Sequence, residues 1–91
     1  MEAKGLLITS GGDQRDIIFN GELASLIELQ EYVGGYIEII RLTGDKILIV
    51  NEEGKIQGLP INKNASYIVG EHLIKEDIVG DAILIESKYI D

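Results

Sequence analysis

The chain of 91 residues contains no cysteine and no tryptophan, and it has one histidine and one proline. Without cysteine it can form no disulfide, no thiolate nucleophile and no cysteine metal site. Because small secreted domains usually depend on disulfides, we expect a location in the cytoplasm. The single histidine, His72, has no neighbours at the spacing of a zinc or calcium site, so we expect neither a metal nor a cofactor.

Aromatic residues are also few, with one phenylalanine and four tyrosines, whereas 45% of the residues are hydrophobic. This composition predicts one domain over residues 1–91 with an aliphatic core, and residues 88–91 are predicted to form a tail. No apolar run reaches the roughly 20 residues that a membrane span requires, so we expect no membrane partner. Domains of this size often gain stability by association, which makes a homo-oligomer a further expectation.

Positive charge is scarce: eight lysines and arginines face 16 acidic residues, which gives a net charge of −8. Such a surface repels nucleic-acid phosphate at long range, so we expect no direct binding of nucleic acid. The acidity suits docking onto a basic partner, or it serves solubility alone. Composition does not separate these two readings.

Turn residues divide the chain into short apolar segments. Asn20 is a candidate cap for a helix whose inner face would carry Leu23, Leu26, Ile27 and Val33, and Gly34 would end it. Asn62 would cap a second, short helix that ends at Gly70. The predicted elements are strands 5–9 and 16–19, helix 21–33, strands 36–42, 46–51 and 56–59, helix 63–69 and strand 82–87.

This order predicts an α+β fold: a small mixed β-sheet of about five to six strands, one main helix packed on it and one short helix. The order is β-grasp-like, which would place the first and last strands side by side and parallel at the centre. Both faces of strand 46–51 are apolar, so we expect a second element or a partner chain to cover part of the other face.

No set of residues predicts a reaction centre. The serines have only His72 as a conventional base, and none lies in a nucleophile-elbow motif. The carboxylate pairs Glu52-Glu53 and Glu76-Asp77 fall on predicted turns, where adjacent side chains point apart and stay solvated. We therefore expect no catalytic residue and a protein that is not an enzyme.

The segment LPINKN is the best candidate for binding a small anion. A helix N-terminus offers free amides, and Asn62, Lys63 and Asn64 add polar and positive groups. Arg41 and Lys46 would join this ligand-binding set if the strands fold over it. An ordinary capped helix behind a proline is the alternative reading.

The partner-binding candidates lie in the segment that runs from the main helix through the next two strands. The set combines one aromatic side chain with three carboxylates, a composition suited to a basic protein surface. These candidates are Tyr36, Glu38, Glu52 and Glu53.

Three stretches together resemble one known family: LQEYVGGYIEIIRL (29–42), VNEEGKIQGLPINKNAS (50–66) and IVGDAILIE (78–86). The family is that of phages and mobile elements catalogued as domain of unknown function 3846. The resemblance implies a phage or mobile-element origin and a bacterial cytoplasm, and it transfers no catalytic residue.

Two functions remain open from the sequence. The first is a small acidic binding protein that antagonises a host defence component by holding a protein partner. The second is a homo-oligomeric protein that sequesters a small anionic ligand, such as a signalling nucleotide.

Overall fold

The fold was obtained as a computed structural model, which describes residues 1–72 and 74–90. Within these residues the chain forms five strands and two α-helices, so the α+β class is confirmed. The second helix is capped by Asn62, as predicted. The elements in chain order are β1 (Lys4–Ile8), β2 (Gln14–Ile18), α1 (Leu26–Val33), β3 (Ile37–Arg41), β4 (Lys46–Asn51), α2 (Lys63–Glu71), β5 (Ala82–Glu86) and a 3₁₀ turn (Ser87–Tyr89).

The five strands form one antiparallel sheet in the order β2-β1-β5-β4-β3. The first and last strands are neighbours at the centre, as expected, but their predicted parallel pairing is wrong. The connection through α2 leaves β4 and enters β5 at the same end of the sheet, where Ile49 pairs with Ile83, so β5 runs antiparallel to β4 and also to β1. The sheet is therefore not mixed.

The main helix begins later than predicted, at Leu26, and Ser25 rather than Asn20 is its N-cap. The Ser25 hydroxyl accepts a hydrogen bond from the Glu28 amide at 3.2 Å and donates one to Glu28 Oε1 at 2.8 Å. This Ser-x-x-Glu pair has the spacing of a capping box, which is a signature of a helix N-terminus. Asn20 instead donates its backbone amide to Glu28 Oε2 at 3.0 Å.

The predicted inner face of α1 is also wrong in part. Leu29 and Val33 are the buried residues of the helix, whereas Leu26 and Ile27 are 56% and 69% exposed. Leu23, which lies before the helix, is exposed as well. Leu29 and Val33 share the buried face because residues four apart lie one above the other on a helix.

The predicted strand 56–59 does not form. Residues 52–58 make consecutive turns instead, with the Gln57 amide donating to the Glu53 carbonyl at 2.9 Å and Gly58 at a φ of +70°. Gly54, in the same run of turns, is not among the glycines with a positive φ. Glycine is required at position 54 because a side chain would not fit: a Cβ there would lie 2.8 Å from Val79 Cγ2. The close contact of Gly54 with Val79 packs the turn against the lead-in to β5.

One helix packs against each face of the sheet. The first face, with Ile47, Ile49, Ile83 and Ile85, packs against α1, so this side forms the larger buried cluster. The second face packs against α2 through a separate cluster of buried residues. That cluster contains Ile8, Ile40, Leu42, Leu48, Val50, Ala65, Val69, Ile78 and Ala82. A second covering element was expected from the apolar pattern of β4, and α2 supplies it.

The ends of the second half also differ from prediction. α2 continues through Gly70 to Glu71. The expected tail is in fact docked: Tyr89 and Ile90 pack against the first cluster, and the Ala24 amide donates to the Tyr89 carbonyl at 2.8 Å. Asp91 lies outside the described residues. Of the helices in the described ranges, none has the length and apolar character needed to cross a bilayer.

Candidate functional site

Two glycines connect α1 to β3 and shape the surface between them. Gly34 adopts a φ of +83°, and its amide donates to the Gln30 carbonyl at 2.8 Å, which ends the helix in a left-handed cap. Gly35 leaves room for a neighbour, since a Cβ there would lie 3.1 Å from Asn51 Nδ2. The pair thus turns the chain into β3 while keeping Asn51 close.

Asn51, at the end of β4, connects three segments and was not singled out from the sequence. Its side chain is buried and donates to the Val33 carbonyl at 3.1 Å and to Gln57 Oε1 at 3.2 Å. Its Oδ1 accepts from the Glu53 amide at 2.8 Å. An asparagine just before a glycine-containing turn is a signal for such a side-chain-to-backbone turn. The contact to α1 across the fold carries no local signal.

These connections create an open cleft between α1, the start of β3 and the turn at 52–58. The cleft has a volume of about 450 Å³. Ile27 and Tyr36 contribute its exposed apolar surface, at 69% and 65% exposure. Glu31 and Glu53 are its charged residues, and no lysine or arginine lines it among the described residues. We call this the α1–β3 cleft.

The four partner-binding candidates divide between two places. Tyr36 and Glu53 line the α1–β3 cleft. Glu38 and Glu52 line a different depression of about 80 Å³, which also contains Lys55 and two further carboxylates. The Lys55 ammonium lies 3.8 Å from Glu76 Oε1 there. That volume is well below the roughly 300 Å³ at which ligand pockets begin.

Asn62 has a structural role that accounts for its whole side chain. It is fully buried, and its Oδ1 accepts from the Ala65 amide at 3.0 Å as the cap of α2. Its Nδ2 donates to the carbonyls of Ile8 at 2.8 Å and Gly80 at 2.9 Å. Both N–H donors of this buried side chain are therefore used, and none is left to bind an anion.

The other four anion-binding candidates do not meet in one site. Lys63 and Asn64 are exposed and line a depression of about 320 Å³ beside the β1–β2 loop. Arg41 is exposed at the end of β3. Lys46 lies at the start of β4 and pairs across the sheet with Glu86 in β5. Lys46 is therefore far from the N-terminus of α2. Asn62 at that N-terminus bonds to Ile8, which lies beside Ala82 at the start of β5, whereas Lys46 lies beside Glu86 at its end.

The electrostatics of the α1 surface include one perturbed carboxyl group. The hydrogen bond from the Ser25 hydroxyl, with smaller contributions from the amides of Asn20 and Ser25, lowers the pKa of Glu28 below its ordinary value. Within residues 1–72 and 74–90, no three histidine, aspartate or glutamate side chains cluster at metal-binding geometry. His72 accepts a hydrogen bond at Nδ1 from the Thr43 amide at 3.0 Å.

A family model described as Domain of unknown function (DUF3846) matches residues 3–89, and the chain therefore belongs to this family. The expected family resemblance is confirmed over nearly the whole chain. No curated protein and no solved structure matches the chain.

Proposed function

We propose that this member of the family is a small non-enzymatic binding protein that holds a basic protein partner in the α1–β3 cleft. The observation that carries the proposal is the composition of that cleft: Ile27 and Tyr36 are strongly exposed beside the carboxylates of Glu31 and Glu53. It contains an aromatic anchor, an aliphatic side chain and charge of a single sign.

This combination matches the anatomy of protein interfaces. Tyrosine is enriched among the residues that dominate binding energy, and such residues are surrounded by polar rims. The two carboxylates and the net charge of −8 favour a partner whose contact surface is basic and apolar. Charge complementarity of this kind mainly raises the association rate and selects the partner.

The biological setting is part of the proposal. A phage or mobile element that carries a small acidic binding protein would use it against a host component, such as a defence protein. The family membership is the support for this setting, together with the lack of any motif that predicts a reaction. The partner would then be a basic protein of the bacterial host.

Sequestration of a small anionic ligand is the second candidate, and it has weaker support. Of the proposed ligand set, only Lys63 and Asn64 share a depression, and Asn62 has no free N–H donor. The carboxylate of Asp81 accepts from the amide of Ser10 at 3.0 Å, which places a negative charge near the same loop. Any anion would have to bind against that charge.

Capture from a bacterial lysate tests the main proposal when it is done with matched variants. The bait proteins are the wild type, Tyr36→Ala and Ile27→Asp, with captured proteins identified by mass spectrometry. Tyr67→Ala is the control, because Tyr67 is 71% exposed but lies on α2, away from the cleft. All three substitutions replace exposed side chains and leave the buried residues unchanged, so circular dichroism should show the same fold for every bait.

We expect a basic protein to be captured by the wild type and by Tyr67→Ala. Loss of a central anchor costs more than about 1 kcal/mol, or roughly fivefold in affinity, so Tyr36→Ala should capture much less. Capture should also weaken as the Debye length falls from about 10 Å at 0.1 M salt to about 3 Å at 1 M. Equal capture by the cleft variants and the control, or capture of an acidic protein, would refute the proposal.

A further inference from the structure

The second helix covers only part of the second face of the sheet. Ala65 and Val69 of α2 pack over Ile8 and Ala82, which lie at one end of β1 and β5. Within residues 1–72 and 74–90, no helix packs over the other end of the same two central strands. An open trough of about 520 Å³ lies there. Central strands that expose an aliphatic face usually have something packed against it.

The side chains of the trough combine an aliphatic centre with charges of both signs. Leu6 and Leu84 lie opposite each other on β1 and β5 and are only partly buried, and Ile18 on the edge strand β2 is 65% exposed. Four charged residues also line the trough. They are Lys4, Lys46, Asp16 and Glu86.

The strand register places these charges around the leucines. Lys4 lies opposite Ile18, Asp16 lies opposite Leu6, and Lys46 lies opposite Glu86. The Lys88 ammonium lies 3.9 Å from Glu86 Oε2, but this pair is exposed, and such pairs contribute little to stability. The trough is thus locally neutral on a protein whose net charge is −8.

Local neutrality indicates what kind of occupant the trough suits. A phosphate-bearing ligand requires an excess of positive charge, and a basic partner requires an excess of negative charge. A second copy of this chain can place its own lysines against these carboxylates and its own carboxylates against these lysines. Two acidic molecules can approach each other closely only where their surfaces are neutral or self-complementary, and a two-fold contact brings the same patch of both copies together.

We propose that the trough is the interface of a homodimer, in which the uncovered parts of two sheets pack against each other. The patch is about four strands wide, or roughly 19 Å at 4.8 Å per strand. It extends over only two rows of side chains, so it is smaller than the roughly 800 Å² per partner of a standard interface. The dimer is therefore weak and reversible, and it forms at micromolar or higher concentration.

Analytical ultracentrifugation of the full chain from about 1 µM to about 1 mM brackets the expected affinity. We expect the weight-average mass to rise towards twice that of the monomer. Ile18→Asp should weaken association at least tenfold without loss of the fold, since the side chain is largely exposed on an edge strand. Ile56→Asp is the matched control and should associate like the wild type, because Ile56 is 86% exposed and lines neither the trough nor the α1–β3 cleft.

Charge exchange then tests self-complementarity without assuming which charges meet. One double variant carries Lys4→Glu and Lys46→Glu, and the other carries Asp16→Lys and Glu86→Lys. Each alone should be monomeric because like charges face each other, and an equimolar mixture should form a heterodimer. A wild type that is monomeric at every concentration would overturn the proposal. So would an Ile18→Asp variant that dimerises normally, or a mixture that fails to associate.

Discussion

Replacement of Asn62 tests the structural role of this residue most directly. Asn62→Ala removes three buried hydrogen bonds, to the Ala65 amide and to the carbonyls of Ile8 and Gly80. At about 1 kcal/mol per net hydrogen bond, the free energy of unfolding should fall by about 3 kcal/mol. A domain of this size loses roughly 4–8 °C in Tm per kcal/mol, so the expected loss is about 12–24 °C.

Thermal and urea unfolding followed by circular dichroism measures this loss. The matched control is Asn64→Ala, two residues further along α2, where the side chain is exposed and the change should stay within about 0.5 kcal/mol. If both variants lose the same small amount of stability, Asn62 is not the structural cap that its contacts indicate. Its amide would then be available for a ligand, as the sequence first suggested.

Asn62→Asp refines the same test, since aspartate also caps helices well and keeps the acceptor for Ala65. The new carboxylate, however, faces the carbonyl oxygens of Ile8 and Gly80 with no hydrogen to donate. Protonation restores one donor. The Tm deficit relative to the wild type should therefore be smaller at about pH 4 than at about pH 7. A deficit that does not change with pH would contradict this account of the two donated bonds.

Three further predictions concern the backbone and the cap of α1. Gly80→Ala should lower the unfolding free energy by about 2 kcal/mol, because Gly80 has a φ of +75° and a new Cβ would lie 2.7 Å from Leu59 Cδ1. Gly12→Ala, at a φ of +98° with open space around it, should cost less in the same urea titration. Ser25→Ala should cost about 1 kcal/mol through loss of the N-cap. The pKa of the Glu28 carboxyl group is lower in the folded chain than in the unfolded chain. Its contribution to stability is therefore complete above the unfolded-state pKa and is lost as the pH falls through the folded-state pKa. The Tm advantage of the wild type over Glu28→Gln should accordingly shrink on acidification.

Local patterns predicted the elements that local physics determines. The continuous aliphatic run in residues 46–51 predicted a strand buried on both faces, and Gly34 predicted the end of α1. The start of α1 was mispredicted because Asn20 and Ser25 are both good caps. Only the capping box with Glu28 and the docking of Ala24 onto Tyr89 decide between them. The second of these contacts joins residues far apart in the chain.

Strand pairing and the candidate site were less predictable for the same reason. Whether β5 runs parallel or antiparallel to β1 depends on the end of the sheet to which the connection through α2 returns, and no short segment encodes that choice. The α1–β3 cleft likewise exists because Asn51 bonds both to Val33 and to the turn at 52–58. Tyr36 and Glu53 could be chosen from the sequence as exposed candidates, but their shared cleft with Ile27 follows only from that tertiary contact.

The two proposed surfaces have different positions and no residue in common. The α1–β3 cleft lies beside the helix on the first face, whereas the trough lies on the second face around β1 and β5. A dimer formed through the trough would therefore leave both clefts free and present two of them. A weak dimer with two partner sites gains affinity for a multivalent target by effective concentration, with no new contact to the partner. Ile18→Asp should then weaken capture by a densely coated surface while leaving the affinity of one cleft for one soluble partner unchanged, which separates the two proposals by measurement.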